Sequence, residues 1–167
     1  MTTATALLDY DLLERQLNAL LDTEDALTNC AQTAAFIYQT IPQLNWVGFY
    51  LQRRPQTLIL GPFQGQPACN PITFAQGVCG LAARTRQTQR VKDVDALDYH
   101  IACDSASRSE LVIPLEVAGR LWGVLDIDSP IPGRFSTEDQ AGIERLAGIF
   151  LRSSSQVSLQ ALSNEQI

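Results

Sequence analysis

Two hydrophobic rhythms alternate along the chain. Leu8, Leu12, Leu13, Leu17, Leu20 and Leu21 recur at helical spacing. Leu27, Cys30, Ala31, Ala34, Ala35, Tyr38 and Ile41 repeat that stripe, which predicts a second helix capped by Asp22 or Thr23 and ended by Pro42. Residues 45–52 switch to period two, with Trp46, Gly48 and Tyr50 on one face of a strand and Val47, Phe49 and Leu51 on the other. A turn through Pro55 leads to a partner strand over 57–61. Residues 64–76, rich in Gly, Pro and Gln, read as a loop, 77–83 as a short helix and 88–91 as a short strand. Residues 110–116 and 121–127 make a hairpin, with Trp122, Val124, Asp126 and Asp128 on one face. Ser136 with Asp139 three residues on is a capping-box-like start to a last helix carrying Ile143, Leu146, Ala147 and Phe150. Beyond Ser153 the chain turns polar and is expected to fray. Helices at both ends and hairpins between predict an α+β fold: an antiparallel sheet with helices packed on one face and loops and ligand on the other. The expected division is one domain over 1–153 and a polar tail over 154–167.

Composition narrows what such a domain can do. At 167 residues, 46% hydrophobic and 18% charged, the chain suits one globular unit. A net charge of −6 argues against nucleic acid or an anionic membrane surface as partner. No apolar run approaches the roughly 20 residues that span a bilayer, and no secretory signal is visible. The expected location is the cytosol, where the four cysteines should be thiols and any disulfide transient and catalytic.

The candidate chemistry gathers over residues 100–114. The only histidine, His100, lies three residues before Cys103; Asp104, Ser105, Ser107, Ser109 and Glu110 follow, and then the apolar run Leu111-Val112-Ile113. A thiol in a long irregular segment that feeds a buried strand is a reasonable place for catalysis. Cys30 belongs to an apolar helical stripe and reads as a small hydrophobe. Cys69 sits in the middle of its loop, where a thiol would be free to approach a partner. Cys79 falls in the first turn of a helix, where the dipole stabilises a thiolate unless the side chain merely packs between glycines. Trp46 and Tyr50 flank Gly48, which reads either as an opening between two flat walls or as aromatic core. Asp126 and Asp128 on one strand face call for a cation unless they are solvated at the rim; Arg120 and Arg134 lie beyond the strand ends, which leaves a bound ammonium group as a candidate.

Three chemistries fit these residues. A zinc site could draw on Cys69, Cys79, Cys103 and His100, although the spacing lacks close Cys pairs. Acyl transfer by a cysteine and His100 would lack a glycine-framed nucleophile elbow. Thiol redox chemistry needs an attacking cysteine, a resolving cysteine and an acid, which Cys103, Cys69 and the Glu110, Asp126 and Asp128 set could supply.

Several segments together resemble a known family. They are Asn45-Trp46-Val47-Gly48-Phe49-Tyr50, Pro67-Ala68-Cys69, Gly77-Val78-Cys79-Gly80, His100-Ile101-Ala102-Cys103-Asp104, Ser107 to Glu110, Gly123-Val124-Leu125-Asp126-Ile127-Asp128-Ser129 and Phe135. The chain resembles the free methionine-(R)-sulfoxide reductases, which are built on a GAF domain. The resemblance implies reduction of free L-methionine (R)-S-oxide, with reducing equivalents from thioredoxin and with no metal or other cofactor. It implies Cys103 as the attacking residue, Cys69 as the principal resolving one and Cys79 as a further family cysteine. It implies that Trp46 and Tyr50 line the methyl-sulfoxide pocket, that Glu110, Asp126 and Asp128 hold the substrate and assist oxygen departure, and that the protein is a homodimer. One departure is Asp98-Tyr99 where the family usually has Pro-Gly, so the loop before Cys103 is expected to take another path. The alternative is a GAF ligand-binding or redox-sensing module without turnover.

Overall fold

The computed structural model describes residues 7–98 and 105–163. Helices α1 (Tyr10–Leu20) and α2 (Ala26–Thr40) precede a hairpin of β1 (Trp46–Arg54) and β2 (Thr57–Gly65). Next come β3 (Ile72–Thr73), α3 (Gly77–Thr85), β4 (Gln89–Val91) and a 3-10 turn over Val94–Ala96. A second hairpin, β5 (Ser109–Val117) and β6 (Arg120–Ser129), leads into α4 (Thr137–Ser153) and α5 (Gln156–Ser163). The strands form one six-stranded sheet in the order β3-β2-β1-β6-β5-β4, and each neighbouring pair is antiparallel. This is the α+β architecture expected from the hydrophobic pattern.

The sheet separates two apolar clusters. Val47, Phe49, Leu51, Leu111, Ile113, Leu125 and Ile127 face α1, α2, α4 and α5. Phe49, Trp122 and Phe150 meet there with ring centroids 4.8–6.4 Å apart. Trp46, Tyr50, Val112 and Val124 point the other way and meet Val78, Cys79, Ala82 and Ala83 of α3. So the loop-bearing face also carries one helix. α3 can lie close because Gly80 has no Cβ; one built there would stand 2.7 Å from the Thr73 carbonyl oxygen.

Local chemistry accounts for the element ends. Ser136 and Asp139 form the expected capping box at α4. Asp139 also takes a hydrogen bond from Tyr10 at 2.7 Å and an ion pair from Arg134 at 2.9 Å, which ties α1 to α4. Between β5 and β6, Ala118 and Gly119 both have positive φ (52° and 75°), the signature of a tight hairpin turn matched to strand twist.

Four expectations need correction. The cap of α2 is Asp25, whose carboxylate accepts from the Thr28 N–H at 2.7 Å, and not Asp22 or Thr23. In the two N-terminal helices, Leu12, Leu20 and Leu27 are exposed while Tyr10 and Ala26 take buried places. Trp122 does not share a face with Val124, Asp126 and Asp128. Leu115 pairs with Gly123 but Glu116 pairs with Leu121, so Trp122 is an extra residue at a bulge and turns to the opposite side. Finally, 154–163 is not a frayed tail. α5 buries Leu159, and the Trp122 indole N–H donates to the Leu159 carbonyl at 2.6 Å. Leu159→Ala should therefore lower stability by about 2–4 kcal/mol in urea unfolding; a freely fraying tail would leave the midpoint unchanged.

Candidate active site

Strand register builds the site. Across β1, β6 and β5, Trp46 stands opposite Asp128 and Asp128 opposite Glu110. Two residues along, Gly48 stands opposite Asp126 and Asp126 opposite Val112. Because side chains two apart share a face, Trp46, Tyr50, Glu110, Asp126 and Asp128 project to the side that α3 covers. They line a cleft of about 530 Å³ with Pro67, Ala68, Ile72, Gln76, Gly77, Val78, Cys79 and Ser107. Five substrate or acid residues expected from the sequence are thus brought together, with Cys79 above them. His100, Cys103 and Tyr99 lie outside the described residues.

Of the two readings of the Trp46 and Tyr50 face, the aromatic core is the one found. Trp46 stacks on Tyr50 with centroids 5.8 Å apart and on Phe63 at 5.4 Å. A Cβ at Gly48 would fall 2.4 Å from the Trp46 ring and 2.5 Å from Phe63. Gly48 therefore leaves no opening between two walls; it lets the indole lie down over the strand. Phe63 was missed because β2 runs four residues past its expected end. Both rings also carry polar ties. The Trp46 indole N–H donates to the Gln66 carbonyl at 3.0 Å, and the Tyr50 hydroxyl donates to the Cys69 carbonyl at 2.9 Å. Burial, and then the nearby Asp126, push the Tyr50 phenol upward, so it remains a donor.

Cys79, Glu110 and Asp126 form the electrostatic centre. One donor atom from each lies within 4.8 Å of the other two, and all three residues are buried. Burial raises the Glu110 carboxyl well above its usual range, and Asp126 and Asp128 raise it further. Asp126 is pushed by burial up to about 6, against hydrogen bonds with Glu110 and Cys79 that favour its charged form. The consistent arrangement is a protonated Glu110 and a Cys79 thiol both donating to the Asp126 carboxylate. Burial and the two acids raise Cys79 well above the usual thiol value. It is not the dipole-stabilised thiolate that its place in the first turn of α3 suggested. The three donors are of the kind that could hold a metal ion. Asp126 Oδ1 is buried with no hydrogen-bond partner among the described residues, which leaves an acceptor for an incoming N–H.

The neighbouring groups fix the rim. Asn45 donates to Ser107 Oγ at 3.0 Å, and Ser107 donates to Asp128 Oδ2 at 3.2 Å. Arg134 is engaged by Asp139, and Arg108 by Asp93 and Asp95. Cys69 is half-buried and disulfide-bonded, while Cys30 and Cys79 are free thiols. The Cys69 segment is hydrogen-bonded at several points and is not the unattached loop expected.

These proton affinities set a pH dependence. Asp126 rises from 3.8 to about 6 on folding. Between those values the folded protein binds more protons than the unfolded chain, so stability falls as pH rises through the window. Glu110, raised by the same burial, extends the fall upward. Compared with the parent by urea unfolding from pH 4 to 7, Asp126→Asn should show a flatter profile; parallel profiles would contradict the assignment.

The matches to known proteins bear on the same residues. The GAF domain model matches residues 13–150. The free methionine-R-sulfoxide reductase of Escherichia coli (strain K12) is 49% identical over 138 residues, covering 82% of this chain and 83% of that protein. The reduced form of fRMsr of Staphylococcus aureus superposes with TM-score 0.86 at 41% identity, covering 93% of this chain and all of that one (100%). Free methionine-R-sulfoxide reductase from Neisseria meningitidis in complex with its substrate gives TM-score 0.85 at 42% identity, covering 91% of each chain. The chain belongs to the GAF-domain family of free methionine-(R)-sulfoxide reductases.

Proposed function

We propose that the protein reduces free L-methionine (R)-S-oxide to L-methionine, with Cys103 as nucleophile. The observation that carries the reading is the buried Glu110–Asp126–Cys79 cluster beside the stacked Trp46 and Tyr50. A small zwitterion with an S-methyl group matches it. The ammonium group meets Asp126, whose buried Oδ1 has no hydrogen-bond partner among the described residues, with Asp128 beside it. The S-methyl group meets Trp46 and Tyr50. Glu110 is the acid: burial raises its carboxyl well above the usual range, and its proton passes to the sulfoxide oxygen as Cys103 attacks. Methionine leaves and the oxygen stays on Cys103 as a sulfenic acid.

Cys69 then attacks that sulfur, releases water and closes a disulfide. The bonded state of Cys69, with Cys79 left as a buried neutral thiol, supports Cys69 over Cys79 as the resolving residue. Thioredoxin as reductant, a homodimeric assembly and a cytosolic location enter the proposal on the family resemblance alone. Among the described residues no helix is long and apolar enough to cross a membrane.

Incubation with racemic methionine sulfoxide and dithiothreitol should consume one epimer only; survival of both would leave a ligand-sensing module. Cys103→Ser should abolish turnover. Cys69→Ser should still make one equivalent of methionine while blocking thioredoxin-driven cycling, and normal cycling in that variant would refute the resolving role. Glu110→Gln, which cannot supply the proton, should lower kcat by about 10²–10⁴-fold in steady-state assays. An unchanged kcat would remove Glu110 from the chemistry.

A further inference from the structure

The strip of chain around Cys69 is pinned on both sides of the sulfur. Upstream, Gln66 accepts from the Trp46 indole at 3.0 Å, and the Cys69 carbonyl accepts from the Tyr50 hydroxyl at 2.9 Å. Immediately downstream, the side chain of Asn70 accepts from the Leu60 backbone N–H of β2 at 2.9 Å. β2 turns irregular beside that contact: Gly48 pairs with Phe63 but Tyr50 pairs with Leu60, so β2 carries an extra residue between those two rungs. The Asn70 side-chain oxygen thus bonds a strand N–H beside a bulge. Asn70 itself is exposed and does not line the cleft.

We propose that Asn70 is a positioning residue for the resolving step. The structure has Cys69 already bridged, and the Asn70 contact fixes the main chain beside it to the edge of β2; the same contact in the reduced chain holds that main chain where the bridge needs it and so favours closure. The inference rests on the reading of Cys103 as nucleophile and Cys69 as resolving residue. In the step concerned, the Cys69 thiol displaces the hydroxyl of the Cys103 sulfenic acid. An S–S bond forms, the S–O bond breaks, and the thiol proton leaves with the hydroxyl as water. The oxidising equivalent comes from the substrate sulfoxide. Ring closure between two residues of one chain depends on how narrowly each is held. Loss of the Asn70 contact therefore slows closure without touching the acid cluster or the aromatic wall.

The test is a single turnover of the fully reduced full-length chain with one equivalent of methionine sulfoxide and no reductant. Methionine is followed by chromatography, sulfenic acid by dimedone trapping, and the bridge by mass spectrometry. Asn70→Ala should give the wild-type burst of methionine. It should close the disulfide about fivefold more slowly, as expected for one lost hydrogen bond, and the trapped sulfenic acid should accumulate to match. Asn70→Asp keeps a side-chain oxygen for the Leu60 N–H and should close at near the wild-type rate. Tyr50→Phe keeps the ring that lines the cleft but loses the hydroxyl tie to the Cys69 carbonyl, and should slow closure as well. Closure at the wild-type rate in Asn70→Ala overturns the proposal. Equal slowing in the Ala and Asp variants overturns it too, since the acceptor oxygen would then not matter. Absence of a methionine burst from the wild type would instead overturn the reading of the function, and this inference with it.

Discussion

The structure depends on keeping two carboxyl groups and a thiol dry within a few ångströms of one another. Moving an isolated carboxylate from water to an apolar setting is strongly unfavourable, and two together are worse. The fold does not answer this with a nearby arginine: Arg134 and Arg108 are engaged by other acids. It answers with protons. Glu110 and Cys79 stay neutral and donate, and Asp126 alone accepts, with its own affinity raised to about 6. The arrangement favours the protonated form of the Glu110 carboxyl and leaves a buried acceptor on Asp126. Both are what a zwitterion carrying a basic oxygen would use. On the proposed function, substrate binding and stability draw on one interaction in opposite senses, because the Asp126 charge that burial disfavours is the charge that would receive the ammonium group.

Register makes that cluster possible. Glu110, Asp126 and Asp128 come from two strands, and only the pairing of Glu110 with Asp128 and of Val112 with Asp126 sets them side by side. A slip of one residue would turn all three into the helix-covered core. The bulge at Trp122 separates the functions of β6. Ahead of it, Trp122 belongs to the core with Phe49, Phe150 and α5; beyond it, Val124, Asp126 and Asp128 face the cleft. Gly123, next to the bulge, permits the close approach of β1, since a Cβ there would lie 2.2 Å from the Tyr50 carbonyl oxygen. One irregular pair of residues thus lets the same strand serve a hydrophobic core and an acid site.

Much of this was legible in the sequence where the signal is local. The capping box at Ser136 and Asp139, the period-two strand at Trp46 and the hairpin ahead of Asp126 depend on neighbours in the chain, and the structure has them. Apart from the α2 cap, a local choice between Asp25 and its neighbours, the failures depend on contacts made across the fold. Trp122 was assigned to the wrong face because a bulge is invisible to strict alternation. Cys79 was offered as a stabilised thiolate because helix position was read without the two acids that approach it from β5 and β6. At Gly48 spacing left an opening and an aromatic core both open, because the Trp46 ring conformation that decides between them is not encoded in spacing. Ser154 and Leu159 looked like part of a polar tail, yet Leu159 is buried and its carbonyl is the acceptor that Trp122 needs. The assignment of Cys103 came from motif resemblance and not from periodicity, and that residue lies outside the described segments.

On the proposed function, the segment around Cys69 must serve a redox cycle and a rigid pocket together. A resolving thiol on a wholly free loop would sample many positions and meet its partner rarely, while one on a regular strand could not adjust when the bridge opens. The segment that carries Cys69 takes neither course. It has no regular secondary structure, yet its main chain is hydrogen-bonded to the two aromatic side chains that form the cleft wall, and its neighbour Asn70 to an edge of β2. Main-chain position is constrained while the thiol keeps its own side-chain torsion. Because Trp46 and Tyr50 hold both the wall of the cleft and the Cys69 segment, any displacement of that segment on bridge opening must be felt by the rings. The wall of the cleft and the Cys69 segment are parts of one packed unit, and a substitution in either is expected to register in both.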